Sequence, residues 1–150
     1  MRRTPLRYAA LLVLLAAVPA ATSFPNSEEE AVKTALNHYL LGQSTGDVSH
    51  FKAVFHPESR LFFNKEGKLA TKTAAEYMAG VAAKGAKQAP DEAQRKRWIE
   101  DVHITGDAAI ARIVLDYPTA RFTDYMSLLK VDGTWMIVNK TFHVEQKPKS

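Results

Sequence analysis

Asp124 stands in the run FTDYMSLLKV (122–131), where strand alternation puts Phe122, Met126 and Leu128 on its own side. A carboxylate among apolar side chains is costly unless a partner neutralises it or it takes up a proton. Kept neutral it donates a hydrogen bond; kept ionised it needs a partner. The structural alternative is a hydrogen bond to Tyr39, to Asn139 or to nearby backbone. Two histidines are candidate bases, His143 at the end of the last strand and His56 after the second helix, each with an ordinary pKa near ~6.5. Both also have plain readings: His56–Pro57 stops a helix, and a histidine near a strand end is exposed. Tyr39 is a candidate ligand contact or a core tyrosine whose hydroxyl finds one partner.

These residues need elements to position them. SEEE (27–30) is an N-terminal helix signal, with Ser27 as cap and Glu30 closing a capping box. Val32, Ala35, Leu36, Tyr39 and Leu40 then recur at helical spacing, and Gly42 and Gly46 end the helix. Asp47 caps a shorter helix that carries Phe51, Val54 and Phe55, with His56–Pro57 as its stop. RLFFNKEGKLAT (60–71) reads as a hairpin around Glu66–Gly67. Thr73 and Glu76 form a second capping box, opening a helix with Tyr77, Met78 and Val81 on one side. After a polar loop the period becomes strand-like, in four runs broken at Gly106–Asp107, Pro118 and Asp132–Gly133. Helices and a hairpin followed by a meander of long strands predict an α+β domain, with helices on one face of an antiparallel sheet.

Composition narrows the function classes. The chain of 150 residues and 16.7 kDa suits one domain. Arg2, Arg3 and Arg7 precede the apolar run AALLVLLAAVPA (9–20), the pattern of a secretory signal with a cut after Ala20 or after Ser23. The expected mature domain is then 24–150, exported to the periplasm or secreted. A cut after Ala20 removes three arginines and no acid, taking the formal charge from +4 to +1. The basic balance thus belongs mostly to the leader, which argues against nucleic acid as a partner, and no membrane association is expected after cleavage. RKRW (95–98) reads as a solvated strand entrance. With no cysteine in the chain, thiol nucleophiles and cysteine-based zinc sites are excluded. The five histidines lack metal-ligand spacing and no glycine-rich phosphate loop is present, so no metal or cofactor is expected.

The motifs Y-x6-GD (Tyr39 to Asp47), VFHPESRL (54–61), GDAAIA (106–111), FTDYMSLLK (122–130) and DGTWMIVNK (132–140) span nearly all of the presumed mature chain. On these residues it resembles the nuclear-transport-factor-2-like superfamily, and most of all the branch called "putative lumazine-binding". The resemblance implies a cystatin-like α+β roll, a cone of curved sheet closed by three helices from the N-terminal half, around a small-molecule pocket. It also implies that the faces of Trp135 and Asp124 line the concave side.

Strict alternation places Trp135, Ile137, Asn139, Thr141 and His143 on one face of the last strand. Met136, Val138, Lys140, Phe142 and Val144 fall on the other. The expected pocket wall is therefore Tyr39, Phe63, Asp124, Trp135, Asn139, Thr141 and His143. Since both faces of these strands are apolar, the convex face is expected to meet a second copy of the chain. The superfamily includes ketosteroid isomerases, in which a tyrosine and a protonated aspartic acid form an oxyanion hole and a second acid is the base. The resemblance sets Tyr39 and Asp124 on the first two, while the base position falls on Phe63. Three functions stay open: an exported carrier or sensor of a small hydrophobic or aromatic molecule; an isomerase-like or polyketide-cyclase-like enzyme acting by proton transfer on a carbonyl compound; and a dimeric interaction module with a filled pocket.

Overall fold

The structure, a computed structural model, describes residues 25–148. The expected leader peptide, with the cuts expected after Ala20 or Ser23, lies outside the described residues. α1 (Pro25–Thr45) and α2 (Val48–Lys52) lead into a hairpin, β1 (Phe55–Lys65) and β2 (Lys68–Thr73), followed by α3 (Ala74–Ala82). A short 3-10 turn (Glu92–Gln94) then precedes β3 (Lys96–Thr105), β4 (Ala108–Asp116), β5 (Ala120–Val131) and β6 (Thr134–Gln146). The six strands form one sheet in the order β2-β1-β6-β5-β4-β3. Its pairs are antiparallel except β1 with β6, which run parallel.

The local chemistry explains most boundaries. Thr73 and Glu76 make the reciprocal capping box at the start of α3, and Asp47 caps α2 through the Ser49 amide. Glu66 and Gly67, both at positive φ, make the two-residue hairpin turn. α1 is helical from the first described residue, Pro25, so Ser27, expected as its cap, lies within the helix. The helix also runs through Gly42 and stops only at Gly46, at φ 70°. Gly42 is there for close packing: a Cβ on it would stand 2.6 Å from Phe51 Cζ.

His56–Pro57 does not stop a helix. It lies inside β1, where the pairing with β6 is irregular between Phe55 and Arg60, so the proline breaks no regular ladder. Ser59 Oγ donates to the His56 carbonyl at 2.7 Å and closes that irregular stretch.

The core sits between the helices and the concave face of the sheet. Val32, Leu36 and Tyr39 of α1, Phe51 of α2 and Phe55 of β1 meet Ile113, Met126, Leu128, Trp135 and Ile137, all buried. Two β-bulges curve the sheet around them. Glu100 is the extra residue between the Ile99–Ile113 and Asp101–Arg112 pairs. Val138 is the extra residue between Leu128–Ile137 and Ser127–Asn139. Each bends its strand and sharpens the local twist.

Candidate functional site

Three polar side chains from three elements meet in this core. Tyr39 of α1 donates its phenolic hydrogen to Asp124 Oδ2 of β5 at 2.6 Å. Lys140 Nζ of β6 donates to the same Oδ2 at 2.8 Å and to the Tyr39 oxygen at 2.6 Å. All three residues are buried, and Asp124 Oδ1 has no hydrogen-bond partner among the described residues. Burial disfavours the ammonium and lowers the Lys140 pKa, and attraction to Asp124 offsets part of that. Burial likewise lifts the Tyr39 phenol far above its ordinary range, with the Asp124 charge adding to it. Aromatic rings stand near the ammonium: Nζ lies 5.0 Å from the ring centroids of both Tyr39 and Phe142, and 5.8 Å from that of Tyr77.

The cone is not filled by its own side chains. A cavity of about 420 Å³ lies between α1, α3 and the sheet, and Lys140 is part of its wall. Leu61, Phe63, Tyr77, Leu115, Phe122 and Phe142 supply its apolar and aromatic lining, and Gln43, Asn64, Lys72 and Lys84 add polar groups. Phe63 and Phe142 stack with centroids 5.1 Å apart. Gln43 donates to the Tyr77 hydroxyl at 2.6 Å, and Arg97 donates to the Tyr117 hydroxyl at 3.1 Å, so both tyrosines are held in place. Arg97 is fixed in turn by two bonds to Glu92. Its side chain is 8 % exposed, so the RKRW cluster is only partly a solvated strand entrance.

The expected wall residues divide. Tyr39 and Asp124 come together, but behind Lys140 rather than on the open surface of the cavity. Phe63 lines it. Trp135 is buried at another part of the core, donating its indole hydrogen to Glu28 Oε2 at 2.9 Å. Asn139, Thr141 and His143 are on the convex side: Asn139 and Thr141 border an open pocket of about 360 Å³ there with Tyr125 and Ser127, and His143 is exposed.

The bulge at Val138 is the cause. One extra residue flips every later side chain of β6, so Lys140, Phe142 and Val144 turn inward. The sequence does carry a signal of this: the inward apolar series Trp135, Ile137 lapses at Asn139 and Thr141, and Phe142 and Val144 resume it in the opposite phase. His56 is also away from the cavity, its Nδ1 accepting from the Glu58 amide at 3.2 Å. Neither histidine meets the Tyr39–Asp124 pair; the third member is a lysine. Among the described residues no cluster of three or more His, Asp or Glu side chains is arranged to hold a metal.

A curved sheet closed by three helices over a polar cluster and an apolar cavity is the architecture of the nuclear-transport-factor-2-like superfamily. Within it, residues 27–143 match the family described as "Putative lumazine-binding", and the chain belongs to that family. It is similar to the protein named Aldolase FrzH from Cladobotryum sp, at 24% identity over 125 residues that cover 82% of this chain and 96% of that protein. Among solved structures it is similar to a nuclear-transport-factor-2-like protein of unknown function from Shewanella baltica OS155. That likeness has a TM-score of 0.74 and 26% identity, over 84% of this chain and 100% of the other. A second such protein, from Methylobacillus flagellatus KT, gives a TM-score of 0.69 and 26% identity, over 82% and 96% of the two chains.

Proposed function

We propose that this protein binds a small, largely apolar carbonyl compound in the conical cavity, with the carbonyl oxygen directed at Lys140. The observation that carries this is the position of Lys140: a buried, hydrogen-bonded amine set beside Phe63, Tyr77, Phe122 and Phe142 in the cavity wall, where the other lysines, Lys72 and Lys84, are exposed. The rings of Phe63, Phe122, Phe142 and Tyr77 suit a flat or polycyclic body, and the ammonium supplies one directed donor. Membership of the family described as "Putative lumazine-binding" supports the same reading, lumazine being a fused-ring carbonyl compound. The test is thermal denaturation against matched pairs, aromatic ketones and the hydrocarbons that lack their carbonyl. A ligand at a hundred times its dissociation constant adds about 2.7 kcal/mol. Ketones that raise Tm where their hydrocarbon partners do not support the reading; no difference across the pairs refutes it.

A second reading is enzymatic. Lys140, on the cavity wall, provides the proton-transfer group that Phe63 cannot, with Tyr39 and Asp124 off the cavity surface holding its amine in place. A relative named as an aldolase supports carbon–carbon chemistry beside a carbonyl over isomerisation. Turnover of an aldol donor that survives both Asp124→Asn and Lys140→Met would end this reading. The mature chain is proposed to act after export, cut after Ala20 or Ser23, and N-terminal sequencing of protein recovered from the host decides that.

A further inference from the structure

We infer that Lys140 is a covalent site: its amine condenses with the carbonyl group of an aryl ketone or aldehyde seated in the cavity, forming an iminium held beside Asp124. This deepens the binding reading and rests on it. The geometry carries the inference. Lys140 Nζ has one anionic partner at 2.8 Å and one phenol at 2.6 Å, neither of which lines the cavity, while the Lys140 side chain borders a void of about 420 Å³ large enough for an aryl ketone. A lysine whose role is only to neutralise Asp124 has no need of that void beside it.

The proton inventory closes within the cluster. The Lys140 ammonium passes a proton to Asp124, leaving a free amine and a carboxylic acid. The amine lone pair forms the N–C bond while the carbonyl π pair moves to oxygen, which takes the proton from Asp124. The nitrogen of the adduct then returns one proton to the Asp124 carboxylate. Delivery of that proton to the hydroxyl breaks the C–O bond and releases water, as the nitrogen lone pair closes C=N. The net change is ammonium plus carbonyl to iminium plus water. Charge is conserved, so the Asp124 carboxylate, the Tyr39 hydroxyl oxygen and the Phe142 ring serve the iminium as they serve the ammonium. Burial, which lowers the Lys140 pKa, also raises the share of free amine near neutral pH.

Benzoylacetone is a suitable probe, because an aryl β-diketone traps an iminium as a conjugated enaminone without added reductant. Incubation of the purified protein near neutral pH is expected to add one benzoylacetone less one water per chain, with a new near-ultraviolet absorbance. Peptide mapping is expected to place it on Lys140. The reaction there should outpace that of the exposed Lys72 and Lys84 by about ten-fold or more, because burial favours the free amine of Lys140. Lys140→Met should abolish the adduct, and if that variant does not fold, the map of the unaltered protein decides alone. A rise in Tm with benzoylacetone but no adduct, or adducts confined to the exposed lysines, overturns the inference and leaves the binding reading standing. Neither a rise in Tm nor an adduct, with matched ketones equally inert, removes both.

Discussion

Lys140 Nζ lies 2.8 Å from Asp124 Oδ2 although the two residues are not opposite one another: Asp124 faces Phe142 in the register, and Lys140 faces Met126. The contact is diagonal across β5 and β6, within reach only because lysine has a long stem. It exists only because the bulge at Val138 turns Lys140 to the concave side. Once there, each charge depends on the other, since both side chains are buried, at 6 % and 0 % exposure.

That dependence sets the first expectation. Asp124→Asn leaves the Lys140 ammonium buried without its counter-charge and should cost about 3–5 kcal/mol of stability. Lys140→Met leaves Asp124 with the Tyr39 hydroxyl as its one partner and should cost a similar amount. The double variant, having no buried charge, should be more stable than the sum of the single losses requires. Urea denaturation of the four proteins measures this, and simple additivity would contradict it.

The inward and outward faces of β6 can be told apart by ligand. Phe63→Ala removes one ring of the stacked Phe63–Phe142 pair in the cavity wall and should reduce the Tm gain given by an aromatic ketone. His143→Ala, on the exposed convex side, should leave that gain unchanged. Equal losses in both variants would mean that ligand reaches the convex face.

The sequence made the architecture legible and part of the site. Capping residues at Asp47 and Thr73, the Glu66–Gly67 turn and the switch from helical to alternating period locate elements through local chemistry, which needs no knowledge of distant neighbours. Asp124 stood out because a carboxylate in an apolar run demands a partner, and Tyr39 is one of the partners found. Lys140 did not stand out. Alternation is a count, and one unpaired residue inverts it; the stagger of β6 against β5 and β1 that creates the bulge is a property of three strands together. Pro57 misled for a related reason, since a proline is tolerated within a strand where pairing is irregular, and that irregularity is set by the partner strand.

Stability should fall in acid, below about pH 4.5, through Glu28. Its carboxylate accepts from Lys130 Nζ at 2.7 Å and from Trp135 Nε1 at 2.9 Å, joining α1 to both β5 and β6. The Lys130 hydrogen bond first, then that of Trp135, holds its pKa below the ordinary 4.5. A carboxyl group depressed in the fold contributes stability that is present above its unfolded pKa and is lost as pH falls through the folded value. The contribution should therefore be whole at neutral pH and fade below about 4.5, the unfolded glutamate range. Glu28→Gln should lower Tm at neutral pH and bring the two proteins together in acid. A gap in Tm that stays constant from neutral to acid pH would show that Glu28 acts by packing alone.

The convex face predicts association. Ile110, Tyr125 and Leu129 are 58 %, 51 % and 41 % exposed. Ile110 opposes Ser127 in the register, so it sits diagonal to both Tyr125 and Leu129, and the three make one apolar patch on the outside of the sheet. A second copy is the occupant proposed, because a two-fold axis through such a patch sets apolar strand against apolar strand with no complementary partner required. Sedimentation velocity should find a dimer at micromolar concentration. Ile110→Glu combined with Tyr125→Lys should give a folded monomer, as both changes fall on exposed positions and place charge where two copies would meet. A monomer in the unaltered protein would remove the dimer, and a dimer that survives both substitutions would move its interface elsewhere.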